Sequence, residues 1–133
     1  MKEELANKLI NKYPKMFPKE AKWAYPTVGD GWYDLLDVLC GEIQHHLDWQ
    51  RAEGKYEEYD AKPDAPEQVV VVQLKEKFGD LRYYVYGGDQ KAYGMIRMAE
   101  AMSNRICEMC GNPGKKRDTS WIKTLCDDCA ENK

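Results

Sequence analysis

The sequence has no run approaching the roughly 18 consecutive apolar residues that a membrane span requires. Its opening, Met1-Lys2-Glu3-Glu4, is charged and has no apolar stretch behind it, so no signal peptide is expected. Histidine is scarce. The only two, His45 and His46, are adjacent in a helical pattern, where neighbouring side chains point about 100° apart. They therefore do not chelate one metal or work as a unit, and a boundary ring with a satisfied partner is expected at His46. No P-loop, G-x-S-x-G or H-E-x-x-H pattern is present, which makes an enzyme the least favoured class. Positive charge is not in excess: 20 basic residues stand against 23 acidic, a formal net of −3. A protein that holds duplex nucleic acid by neutralising phosphates usually carries a clear positive surplus.

Hydrophobic residues make up 43% and charged residues 32%, the balance of a folded chain of soluble type. With 133 residues, no linker and no internal repeat, one compact unit is expected. It divides into an α+β body over 1–104 and a metal module over 105–133 packed against it. The lone thiol of Cys40 beside a metal-thiolate set points to a reducing, cytoplasmic interior.

Leu5, Ala6, Leu9, Ile10 and Tyr13 give the first helix its apolar stripe, which Pro14 ends. An aromatic, proline-containing segment follows, including Met16, Phe17, Trp23 and Tyr25, and is read as core cover. Gly29-Asp30-Gly31 reads as a turn with Asp30 as N-cap. The helix after it places Trp32, Leu35, Leu36, Leu39, Ile43, His46 and Leu47 on one face. Cys40 lies near that stripe and packs as a small hydrophobe. Glu53 to Gln68, with Glu57, Glu58, Asp60, Asp64 and Glu67, reads as a solvated acidic loop.

A β-hairpin is expected next, from strands Val69–Lys75 and Leu81–Tyr86 around a Gly79 turn. Simple alternation puts Val70, Val72 and Leu74 on one face and Val71, Gln73 and Lys75 on the other. On the return strand Arg82, Tyr84 and Tyr86 share a face, so a basic, aromatic surface of Gln73, Lys75, Arg82 and Tyr84 is expected. Which faces pair is open, because a one-residue slip reverses the answer. Gly87-Gly88-Asp89 then caps a helix over about 90–105, whose seam is Ala92, Ile96, Ala99, Ser103 and Ile106, flanked by Met95, Met98 and Met102.

The last quarter carries the strongest signal: Cys107-x-x-Cys110 and Cys126-x-x-Cys129, fifteen residues apart. Two soft thiolates on each of two tight turns are what a tetrahedral structural zinc site needs. Two disulfides or four unrelated thiols are the lesser alternative. One zinc ion on four thiolates would lower the net charge to about −5. Between the pairs, 112–118 reads as a basic loop tip with Lys115, Lys116 and Arg117, and Trp121 leads a short strand into Cys126. Knuckle, hairpin, then second pair at a helix start is the order of a treble-clef or zinc-ribbon module.

The run Val72-Gln73-Leu74-Lys75-Glu76-Lys77-Phe78-Gly79-Asp80-Leu81-Arg82-Tyr83, the later Ala99-Glu100-Ala101-Met102-Ser103 and the cysteine tail through Cys129 resemble a group of small uncharacterised zinc-binding proteins of tailed phages and prophages. The likeness spans about Gly29 to Cys129. It implies a zinc site and a phage-infected bacterial cytoplasm as the setting, and it carries over no catalytic residue. The leading expectation is a non-enzymatic accessory protein that binds and modulates a host protein, such as a defence or transcription component. Its partner surface is expected at Lys75, Lys77, Arg82 and Tyr84 with Lys115, Lys116, Arg117 and Trp121. A nucleic-acid binder, with the same cations on phosphates and tyrosines stacked on bases, is one alternative. A protein that sequesters a small anionic nucleotide, with Trp32 or Tyr84 on its ring, is another.

Overall fold

The computed structural model describes residues 1–20, 22–51, 66–118 and 120–131. The acidic residues at 53–65 lie outside that set. The fold is α+β. Helices α1 (Glu3–Lys12), α2 (Tyr33–Arg51) and α3 (Gln90–Ser103) surround the antiparallel hairpin of β1 (Glu67–Lys77) and β2 (Asp80–Gly88). A second hairpin, β3 (Lys115–Arg117) with β4 (Lys123–Leu125), and a short α4 (Asp127–Glu131) complete the chain.

Helix α1 buries Ala6 and Leu9 and stops before Pro14, as its pattern requires. Asp30 does not cap α2. A 3-10 turn over Asp30–Trp32 precedes that helix, and the amides of Trp32 and Tyr33, which an Asp30 cap would serve, already donate to the carbonyls of Gly29 and Asp30. The Asp30 carboxylate turns instead to the backbone N–H of Lys2, at 2.7 Å, and anchors the start of α1. Helix α2 then buries Leu36, Leu39, Cys40, Ile43 and Leu47 at the expected three- and four-residue steps. The indole of Trp32 is completely buried, so it is closed to any ligand ring; its Nε1–H donates to the Ile106 carbonyl at 2.8 Å.

The β1–β2 turn is the two-residue Phe78-Gly79, with both φ angles positive at 53° and 84°. That is the type I′ geometry whose twist suits paired strands, and phenylalanine is an unusual residue to hold it. Its register pairs Lys75 with Arg82 and Gln73 with Tyr84. Further along β1 simple alternation fails, because pairing steps from Val71↔Val85 directly to Gln73↔Tyr84 and leaves Val72 as a bulge. The extra residue flips the phase. Val69, Val71 and Leu74 all face the core, together with Leu81 and Tyr83, while Val72 is 40% exposed.

Both edges of this hairpin are occupied, a usual defence against unwanted strand addition. On the β1 side, Val71 donates to the Met16 carbonyl at 2.9 Å, and the Thr27 hydroxyl donates to the Leu74 carbonyl at 3.2 Å. On the β2 side, Leu81 and Tyr83 donate their N–H groups to Ser103 Oγ and Glu100 Oε2, each at 3.0 Å. Helix α3, capped by Asp89 accepting from the Ala92 N–H at 2.9 Å, thus closes one edge with side chains that its sequence presents as ordinary surface polars. Each large apolar side chain fully buried between these layers, such as Leu36, Ile43 or Leu74, contributes roughly 1.5–3 kcal/mol.

Candidate metal centre

The first pair of thiols is presented by a tight knuckle. Cys107 N–H donates to the Asn112 carbonyl at 2.7 Å, Gly111 N–H returns to the Cys107 carbonyl at 2.9 Å, and Gly111 takes a φ of 84° that a β-carbon disfavours. Strands β3 and β4 then carry the chain out and back, pairing Lys115 with Leu125. Cys126 follows β4 directly and Cys129 lies in α4, so this pair brackets the start of that helix. Cysteine knuckle, hairpin and helix start follow in treble-clef order.

All four cysteines are free thiols. Their Sγ atoms lie within 4.8 Å of one another, and Cys110 and Cys126 are 3.6 Å apart. A disulfide needs about 2.05 Å. Four sulfurs bound at about 2.3 Å around one tetrahedral ion would sit about 3.8 Å apart, so the residues fit a single metal ion. Burial pushes the Cys107 thiol up, but hydrogen bonding with the backbone of Cys126, Cys110 and Met109 outweighs it and brings the thiol down to about 7. The Cys129 thiol is pushed up to about 12, first by Cys126 and then by Cys107 and Cys110. Four sulfurs this close resist ionising together until a cation is among them.

The knuckle is bonded to the body through Glu108, between the first two cysteines. Its carbonyl accepts from Gly31 N–H at 2.7 Å, its N–H donates to the Thr124 carbonyl at 3.0 Å, and its Oε2 accepts from Gly29 N–H at 3.0 Å. Lys123 places Nζ 2.9 Å from Glu76 and 3.6 Å from Glu108. Burial disfavours the charge on Lys123, but these two carboxylates outweigh it and hold its ammonium above the ordinary range. Glu76 also accepts from Gly79 N–H at 2.7 Å, and the Thr124 hydroxyl donates to the Gly79 carbonyl at 2.7 Å. A carboxylate–lysine–carboxylate link therefore ties the β1–β2 turn to the metal module.

The expected recognition residues divide into two groups. Lys75, Arg82 and Tyr84 share the outer hairpin face with Gln73, as the pairing requires. Lys77 flanks the turn with Nζ 5.8 Å from the Phe78 ring centre, and Trp121 is 69% exposed beside it. Lys115, Lys116 and Arg117, by contrast, form no loop tip: they are strand β3. Arg117 donates to the Leu125 carbonyl at 2.9 Å and to Asp127 at 2.8 Å, so it braces the module internally. Lys116 reaches Asp80 at 2.8 Å, where Arg82 also sits at 3.6 Å. A hairpin closing the knuckle needs those residues as backbone ladder, which a composition-based reading of a basic run does not reveal.

Sequence reasoning missed Gly29, Gly31, Asp80, Glu108 and Lys123. One signal was present: two glycines flanking one residue mark a close backbone approach as well as a turn. At Gly31 a β-carbon would meet the Cys107 carbonyl and, at 2.5 Å, Gly111 N. His46 is nearly buried and sits 2.8 Å from Asp89, the satisfied boundary ring anticipated. Cys40 lies in the core, 3.0 Å from the Tyr83 hydroxyl. Among the described residues no helix is long and apolar enough to cross a membrane. No protein-family model, curated protein or solved structure matches the chain.

Proposed function

We propose that this chain is a non-enzymatic zinc protein that recognises another protein through the outer face of the β1–β2 hairpin. The observation that carries the reading is the closed set of four thiols. With every tetrahedral position taken by a cysteine, the ion has no place for an activated water and serves as a structural staple. All-thiolate ligation favours zinc over harder divalent ions, and a structural zinc of this kind contributes on the order of 10 kcal/mol to folding. The staple holds the end of the hairpin through Glu108, Lys123 and Glu76. The face it steadies presents Gln73, Lys75, Arg82 and Tyr84, with Tyr86 70% exposed next to them.

Tyrosine and arginine side by side are the residue types that most often dominate protein interfaces. The phosphate-binding alternatives have less to work with. Arg117 is spent on Leu125 and Asp127, Lys116 is held by Asp80, and the chain is net acidic at −3. A setting in phage-infected bacteria, with a host defence or transcription protein as the partner, rests on the resemblance of the Val72–Tyr83 segment and the cysteine tail.

The test is affinity capture from bacterial lysate by the zinc-loaded chain, beside Arg82→Ala and Tyr84→Ala. A specific protein partner whose affinity falls about 10-fold or more with either change is expected. Capture of nucleic acid alone, or a partner indifferent to both substitutions, would contradict the reading. Metal analysis should give one zinc per chain, and a substoichiometric content in folded protein would remove its premise.

A further inference from the structure

Helices α2 and α3 leave a groove between them that neither the metal centre nor the hairpin face uses. It has a volume of 380 Å³ and is lined by Val38 and Glu42 from α2 and by Gly94, Met95, Met98 and Met102 from α3, among others. Val38 and Met98 are 63% and 64% exposed, an apolar patch that a solitary chain has no reason to display. Gly94 adds an independent sign. It sits inside α3, where glycine weakens a helix relative to alanine, yet beyond its own chain neighbours and the helix's own backbone nothing lies within 4 Å of the place a β-carbon would occupy. Nothing in the chain itself asks for a glycine there.

The charges beside the groove say what covers it. The two helices run antiparallel: His46 near the end of α2 meets Asp89 at the start of α3, and Trp32 before α2 meets Ile106 after α3. Asp34 and Glu42, one turn either side of Val38, are exposed on α2. Lys91, one turn before the Gly94–Met95 pair on α3, and Arg105, in the turn that follows the end of α3, are exposed. Among the described residues none of these four has an ion-pair partner. One wall of the groove is thus acidic and the other basic.

The geometry points to a homodimer in which two copies close this groove face to face as an antiparallel four-helix arrangement. With a two-fold axis parallel to the helices, α2 of one copy lies over α3 of the other. Asp34 then comes level with Arg105 of the second copy and Glu42 with the Gly94–Lys91 turn. Both contacts occur twice. An axis across the helices would instead set α2 on α2 and acid on acid, so the charge pattern selects the first arrangement. Gly94 lets the backbones approach where the apposed helix crosses, and the methionines adapt to its ridges.

The test is sedimentation equilibrium of the full zinc-loaded chain over a range of concentrations and salt. A mass of twice the 15.5 kDa chain is expected, dissociating on dilution. Met98→Asp should leave a monomer with unchanged circular dichroism and zinc content. Glu42→Lys, at an exposed position that does not threaten folding, should weaken self-association at least about 5-fold, since each change enters the interface twice. Adding Lys91→Glu should restore it. A monomeric mass at the highest soluble concentration would overturn the proposal. So would a dimer indifferent to both Met98→Asp and Glu42→Lys.

Discussion

Gly31 donates its backbone N–H to the carbonyl of Glu108 across 2.7 Å, joining the turn ahead of α2 to the knuckle that presents half of the metal ligands. Space at that contact is so tight that a methyl group on Gly31 has nowhere to go except into the backbone of Cys107, Glu108 or Gly111. Gly31→Ala should therefore lower stability by about 1–3 kcal/mol, the usual cost of overpacking a rigid site. The same change should weaken metal affinity in a competition assay with a chromogenic chelator. Gly94→Ala makes the contrast. With nothing near its β-carbon position, it should stabilise the dilute, monomeric chain by about 1 kcal/mol in a denaturant titration.

The metal should fold more than the module that binds it. Glu108, Thr124 and Lys123 carry hydrogen bonds to Gly29, Gly31, Gly79 and Glu76. Chelator treatment should then abolish amide protection over 105–131 and also at Gly29 and Gly31, whose N–H groups donate to Glu108, as read by hydrogen exchange. Loss confined to 105–131 would show that the body holds its shape without the staple.

The sequence made the elements legible wherever one local rule decided them. Helix α2 followed from its apolar spacing, α3 from the Asp89 cap and the four-sulfur cluster from the two C-x-x-C turns. The shared face of Lys75, Arg82 and Tyr84 followed once pairing was known. What stayed hidden depended on contacts between distant segments. Bulging at Val72 reverses the hairpin phase because the core accepts Val71 and Leu74 together, and no local pattern announces it. Asp30 looked like a helix cap until Lys2 offered it a better-placed amide. Glu108 read as spacer between cysteines, yet it makes the main attachment of the metal module.

Acid should weaken the join between α2 and α3. Burial alone would raise the Asp89 carboxyl, but the Ala92 N–H and His46 outweigh it and hold the group below its ordinary 3.8. The stability it confers is therefore complete above the unfolded value and is lost as pH falls through the lower folded one. Asp89→Ala removes the cap and the histidine's partner together. A cost of about 1–2 kcal/mol at neutral pH is expected from the cap, and the mutant should lose the part of the acid-side slope that Asp89 supplies.

Alkali should act on the other side of the core, at Cys40. Burial pushes this thiol from its ordinary 9.0 up to about 12, only partly offset by the Tyr83 hydroxyl 3.0 Å away. An unfolded chain ionises Cys40 near 9 while the folded chain keeps it protonated, so the unfolded state gives up its proton first. Stability must then fall as pH rises from about 9 towards 12, and Tyr83, whose own hydroxyl burial holds well above 10.0, steepens the fall. Cys40→Ala tests which group governs the slope. It should cost about 1–2 kcal/mol at neutral pH for the small cavity and the lost sulfur contact, while flattening the alkaline decline. A mutant that kept the full decline would assign it to Tyr83. The same burial predicts that iodoacetamide leaves Cys40 unmodified in the native protein at pH 8, because attack requires a thiolate that the core does not permit.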